Sequence, residues 1–125
     1  MLASLPTSAP GGNVRVYVIW EEITFSDWTP PSDSSLARIP DSRVAQYFDR
    51  DDLIAKAWKS VLARDSVVVT GEATFVKDSP AWDSALLFAP GTKWDAEPPA
   101  PVFTGAAVVS TTGELAAALR AVAAK

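Results

Sequence analysis

Apolar and polar positions along the chain follow two periods, one typical of strands and one typical of helices. Residues 14–20 are rich in β-branched and aromatic side chains, and this run predicts a central, partly parallel strand. Apolar side chains recur at helical spacing over residues 50–64 and over residues 113–124, which predicts two amphipathic helices. Asp49 has the position of an N-cap for the first of these helices, with Asp51 and Asp52 in its first turn.

Shorter segments are assigned from apolar runs and from the turn residues that bound them. Three further strands are predicted over residues 66–70, 85–89 and 106–110, and residues 73–76 suit a short strand or a hairpin arm. Two loops are expected over residues 21–40 and 90–101, which are rich in proline.

Capping residues suggest where two helices begin. Asp41 and Ser42 have the pattern of a cap for a short helix that would carry Val44, Tyr47 and Phe48. Thr111 and Glu114 have the spacing of a capping box at the start of the C-terminal helix.

The order of these elements predicts an α/β fold with a mixed four- to five-stranded sheet flanked by helices. The strands at 14–20 and 66–70 are joined through a helix, so we expect them to be parallel with a right-handed crossover. The later pair of strands is expected to be antiparallel. A flexible N-terminal arm is predicted over residues 1–12, and a single domain over residues 13–125.

Composition excludes several kinds of chemistry. The 125 residues include no cysteine and no histidine, which rules out disulfides, thiol redox chemistry, Ser-His-Asp triads and Cys/His zinc sites. No cofactor and no metal site are predicted. The eleven basic residues are scattered and the net charge is −4, which does not favour binding to nucleic acid. Neither a signal peptide nor a membrane span is recognisable, so a cytoplasmic protein is expected.

Four segments within residues 14–122 carry a resemblance to known proteins: VRVYVIWEEITFSDW, ARIPDSRVAQYFD, WDSALLFAPGTKW and the closing GAAVV with its helix. Together they resemble a group of uncharacterised bacterial proteins that have the thioredoxin-like fold. The resemblance implies a thioredoxin-like domain. Thioredoxins place a CxxC pair after the first core strand, where this chain has Glu21-Glu22-Ile23-Thr24, so the resemblance implies a fold without thiol oxidoreductase activity.

Three acidic residues follow the first predicted strand, where open α/β sheets tend to bind ligands. Glu21, Glu22 and Asp27 are therefore candidate site residues, either as a general acid or base or as ligands of a hard cation. The alternative is that they are solvated loop charges, paired with Arg38 or Arg43.

Aromatic residues in loops give a second set of candidates. Trp28, Trp82 and Trp94 each lie beside an aspartate, and Trp28, Trp82 and Asp83 are included in the candidate binding surface. The alternative is that these tryptophans fold back over the ends of the sheet as part of the core. Trp20 and Trp58 are expected in the core from their strand and helix positions.

Three hypotheses on function follow. The first is a non-catalytic binding or protein-interaction module, whose partner is a protein or a small ligand. The second is a carboxylate-dependent enzyme, such as a hydrolase or an isomerase, that uses Glu21 or Glu22 as its base. The third is a homodimeric structural protein with the loop tryptophans at its interface.

Overall fold

The computed structural model describes residues 14–21, 29–78 and 81–125. The strands are β1 (Val16–Glu21), β2 (Val44–Asp49), β3 (Val69–Gly71), β4 (Ser84–Leu87) and β5 (Phe103–Ala106). The helices are α1 (Asp33–Leu36), α2 (Leu53–Leu62), α3 (Thr74–Lys77) and α4 (Thr112–Ala123). The protein is therefore mixed α/β, as predicted.

The first sheet pairs β1 with β2 in parallel, with Val16 opposite Val44 and Glu21 opposite Asp49. The prediction of a short helix carrying Val44, Tyr47 and Phe48 is wrong, because these residues belong to β2. The β-branched and aromatic side chains of this segment suit a strand paired with β1. Asp41 was expected to cap that helix. Its Oδ1 instead accepts a hydrogen bond from the backbone N–H of Arg43, just before β2, at 2.9 Å.

The second sheet has the order β3-β5-β4, with β5 parallel to β3 and antiparallel to β4. The predicted antiparallel pair is confirmed in β4 and β5. The strand predicted at 66–70 lies at Val69–Gly71 and pairs with β5, so the expected pairing with the first strand is wrong. Within the described part of the chain, the five strands form two sheets where one sheet was expected.

The last predicted strand lies earlier in the chain than the apolar run suggested. Strand β5 ends at Ala106, and residues Val109–Thr111 form a 3-10 turn. The hydroxyl of Thr111 donates a hydrogen bond to the carbonyl of Ala107 at 3.0 Å, which closes this turn. That bond also explains why the expected capping box is absent, because the Thr111 side chain makes no capping bond to α4.

The two longer helices are confirmed with small changes at their starts. Helix α2 begins three residues after the predicted start and buries Ala55, Trp58, Val61 and Leu62. Leu53, at its first position, is exposed rather than in the core. The segment predicted as a strand or hairpin arm at 73–76 forms helix α3 instead, and its Val76 is buried.

The core lies between α2 and the three-stranded sheet. Its buried members are Trp58, Val61, Leu62, Val67, Val76, Ala81 and Ala106. The expectation that Trp58 belongs to the core is confirmed, whereas Trp20 is only partly buried. Its position is fixed by a polar contact, because the indole Nε1–H donates to Gln46 Oε1 at 3.0 Å.

Gln46 connects three elements, and its replacement is expected to destabilise the fold. Its Oε1 accepts from Trp20 on β1, and its Nε2 donates to the carbonyl of Leu36 on α1 at 2.9 Å. Gln46→Leu removes both hydrogen bonds and leaves the partly buried indole N–H of Trp20 unpaired, so we expect a loss of about 1–2 kcal/mol in the free energy of unfolding. Urea denaturation of the two proteins measures this difference.

Gln46→Glu is the matched variant, since a carboxylate still accepts from Trp20 but cannot donate to Leu36. Its second oxygen would face the Leu36 carbonyl, so we expect Gln46→Glu to lose stability at neutral pH and to recover part of it at low pH, where the protonated acid can donate to Leu36. The indole N–H resonance of Trp20 should shift in the leucine variant; an unshifted resonance together with unchanged stability would show that Gln46 does not hold these elements together.

Candidate functional site

Two acidic residues face each other where the parallel strands of the first sheet end. Glu21 closes β1 and Asp49 closes β2, and the two are opposite each other in the register of the sheet. Asp52 belongs to the turn that follows β2 and leads into α2. The carboxyl ends of parallel strands are where open α/β sheets commonly bind ligands, so this edge is the candidate site.

The turn after β2 is held by Asp49. This residue is buried, and its Oδ2 accepts hydrogen bonds from the backbone N–H groups of Ile54 at 2.8 Å and Ala55 at 3.2 Å. Asp49 therefore caps α2 as predicted, but across an intervening turn. Asp51 and Asp52 were expected in the first helical turn, and instead they adopt positive φ angles of 64° and 54°. This conformation is more accessible to aspartate than to most residues.

Glu21 is partly buried, and the pKa of its carboxyl group is raised above its ordinary value. Removal of the carboxyl from water raises the pKa of Glu21 to about 7, and the negative charges of Asp52 and Asp49 contribute to the rise. Near neutral pH this side chain is present in both protonation states. It can therefore donate a proton or a hydrogen bond as well as accept one.

Asp52, in the turn that follows β2, has a side-chain oxygen without a hydrogen-bond partner in the described part of the protein. This oxygen, Oδ1, is buried. A buried carboxylate oxygen without a donor is unfavourable.

A cavity of about 280 Å³ opens beside Glu21. Trp20, Glu21 and Phe48 contribute its strand side, and residues 29–32 with Ser35 form the opposite side. Ser32 Oγ accepts from the backbone N–H of Ser35 at 3.3 Å, which caps α1 and fixes this wall. The residues that line the cavity thus include two aromatic residues, one glutamate and several residues with hydroxyl groups.

The arginines that flank β2 contact groups other than Glu21. Arg43, one possible partner of the acidic loop residues, precedes β2 at the opposite end of the sheet, and its guanidinium contacts Asp41 Oδ2 at 2.6 Å. Hydrogen bonds from Arg43 lower the pKa of Asp41 to about 2. The guanidinium carbon of Arg50 lies 5.7 Å from the centre of the Phe48 ring. Among the described residues, Glu21 forms no ion pair with Arg43 or Arg50.

The predicted site residues fall into three groups. Glu21 lines the cavity, whereas Glu22, Asp27 and Trp28 lie outside the described residues. Trp82 packs on Phe75 with ring centres 4.1 Å apart, away from the residues that line the cavity.

Asp83 is likewise not part of the cavity wall. It has a φ of 42°, and its Oδ1 accepts a hydrogen bond from the backbone N–H of Val108 at 3.3 Å. Trp94 meets Trp58 edge to face with ring centres 5.4 Å apart, and it remains half exposed. The packing of Trp82 and Trp94 onto core aromatics fits the alternative that loop tryptophans complete the core.

Sequence reasoning missed Asp49 and Asp52 as members of the site, because both were interpreted only as helix-capping residues. It also missed the aromatic wall provided by Phe48. The available signal was the composition of residues 44–49, whose β-branched and aromatic side chains favour a strand. A strand there, parallel to β1, places Asp49 at the same sheet edge as Glu21.

No group of three or more acidic side chains is arranged to hold a metal ion in residues 14–21, 29–78 and 81–125. Over the same part of the chain, none of the helices is both long and apolar enough to cross a membrane. Comparison with protein-family models, with curated proteins and with solved structures gave no match.

Proposed function

We propose that this chain is a binding domain that takes a small organic molecule at the carboxyl edge of β1 and β2. The observation that carries the proposal is the position of Glu21, a partly buried glutamate that lines a cavity together with Trp20 and Phe48. Ligand cavities typically combine apolar walls with a few polar groups that orient the ligand. Glu21 is the orienting group, and the rings supply apolar contact.

We also keep the thioredoxin-like relationship as a proposal. It is supported by the parallel first pair of strands, the antiparallel pair β4 and β5, and the final helix α4. The division into two sheets adds no support to it. Because a fold does not define an activity, the proposed binding function depends on the cavity and not on this relationship.

A fragment screen by NMR tests the binding proposal. We expect hits whose chemical-shift changes cluster at Trp20, Glu21 and Phe48, and we expect Glu21→Gln to weaken them. Glu72→Gln is the control, because Glu72 is an exposed glutamate outside the cavity. A screen in which no fragment perturbs these cavity residues would contradict the proposal.

A second candidate is a carboxylate-dependent hydrolase or isomerase with Glu21 as general acid or base. It is favoured by the pKa of Glu21, about 7, because acid–base catalysis is most efficient when the catalytic pKa is near the working pH. Fragments that bind the cavity are the substrates to assay first. Enzymatic turnover should fall by about 100-fold or more in Glu21→Gln. An equal rate in the variant would reject this second function.

A further inference from the structure

The ionisable residue in the described wall of the cavity is acidic, although the guanidinium of Arg50 lies over the ring of the wall residue Phe48. That acidic residue is Glu21, and the carboxylates of Asp49 and Asp52 are near enough to act on Glu21 through their charge. The residues that line the cavity include no lysine and no arginine, as far as the structure describes them. Such a surface concentrates positive charge and disfavours anions.

The basic groups nearest to these acids already have contacts. Lys56 Nζ donates to the backbone carbonyl of Asp51 at 2.7 Å, on the turn that precedes α2. Arg50 lies over the Phe48 ring, at 5.7 Å from its centre to the guanidinium carbon. That contact provides an example, at the wall of the cavity, of a cation held by an aromatic ring.

We propose that the ligand of this cavity is a small alkylammonium ion, an inference that rests on the binding function proposed above. Its N–H groups would donate to the Glu21 carboxylate, and its alkyl group would pack on Trp20 and Phe48. Both contacts use residues that line the cavity. An ammonium ion provides the donors that carboxylate oxygens require, and it is attracted by aromatic faces.

Other ligand classes fit the same groups less well. A carboxylate or phosphate would add a negative charge near Glu21, Asp49 and Asp52, and like charges repel. A neutral alcohol would gain one hydrogen bond but nothing from the charge of the three acids. The negative charge of these acids therefore favours binding of a cation over binding of a neutral molecule of the same shape.

Binding of the cation is coupled to the loss of a proton from Glu21. The ionised carboxylate attracts an ammonium ion, and the neutral acid does not, so binding favours ionisation and releases the proton to solvent. Alkylammonium ions remain charged from pH 6 to pH 8, as the reference pKa of an amine near 10.4 indicates. The affinity should therefore follow the ionisation of Glu21 over this range.

Three isosteric probes test the inference by NMR titration: n-butylammonium, n-butanol and butyrate. We expect n-butylammonium to shift the resonances of Trp20, Glu21 and Phe48 and to bind about tenfold more tightly at pH 8 than at pH 6, given a Glu21 pKa of about 7. In Glu21→Gln this pH dependence should disappear, and in Glu72→Gln it should remain.

The outcomes separate this inference from the function on which it rests. Equal or tighter binding of n-butanol or butyrate at the cavity overturns the alkylammonium inference and leaves the binding function in place. The same holds if no probe binds while other fragments of the screen perturb the cavity residues. If neither probes nor fragments perturb them, both proposals fail.

Discussion

Gly71→Ala is expected to destabilise the protein by about 4 kcal/mol, the sum of a strained backbone and a steric overlap. Gly71 ends β3 with a φ of 88°, a conformation that residues with a Cβ rarely adopt. A Cβ at this position would overlap the carbonyl oxygen of Ala106 and would lie 2.9 Å from Thr111 Cγ2. Ala106 and Thr111 are both buried, so neither can move aside without disturbing the second sheet.

Gly91→Ala is the matched control for this prediction. Gly91 has a similar φ of 78°, but nothing lies within 4 Å of a Cβ built there. Its loss of stability should be limited to the conformational penalty, about 1 kcal/mol. Urea denaturation followed by circular dichroism measures both variants, and equal losses would show that the close approach of β3 to Ala106 is not what requires glycine at Gly71.

Elements dominated by one period could be predicted from the sequence. Helices α2 and α4 follow from apolar side chains at helical spacing, and β1 follows from its run of β-branched and aromatic residues. These patterns are local, and burial of one face reinforces them. The ends of the helices were harder, because the turn Arg50–Asp52 delays the start of α2 without a pattern that marks it.

Elements that depend on distant partners could not be predicted in the same way. Strand β2 is six residues long and was interpreted as a helix, because Asp41 and Ser42 resemble a helix cap. Its conformation is stabilised by the ladder to β1, some 28 residues earlier by the register of Val16 with Val44. Thr111 was misread for a similar reason, since its hydroxyl donates to Ala107 instead of capping α4.

The candidate site shows the same division. Glu21 could be predicted because it follows a recognisable strand. The acids that perturb it, Asp49 and Asp52, could not be associated with it until β2 was placed beside β1. Spacing alone gave Glu22 and Asp27 as its neighbours, and those two lie outside the described residues. Pairing of strands, more than proximity in sequence, therefore determines which acids act on Glu21.

Glu21→Gln is expected to stabilise the protein at pH 8 by about 2 kcal/mol and to leave its stability unchanged at pH 4. The pKa of Glu21 is raised from 4.5 to about 7 in the folded state. Below pH 4.5 both states carry the proton, so the side chain imposes no penalty. As the pH rises towards 7 the unfolded state ionises first, and the wild-type protein loses stability. Above pH 7 the penalty is constant.

The size of this effect follows from the shift and from the partial exposure of Glu21. The full rise in the pKa corresponds to about 3.5 kcal/mol at about 1.4 kcal/mol for each unit of pKa, and solvent screening reduces it to about 2 kcal/mol. Urea denaturation of both proteins at pH 4, 6 and 8 gives the difference between their free energies of unfolding at each pH. Contributions from acids that the substitution does not affect cancel in this difference. Glu72→Gln is the matched control, because Glu72 is an exposed glutamate outside the cavity. If Glu21→Gln behaves like Glu72→Gln, Glu21 ionises as an ordinary surface acid, and the cavity loses the proton-coupled carboxylate on which its proposed preference for cations depends.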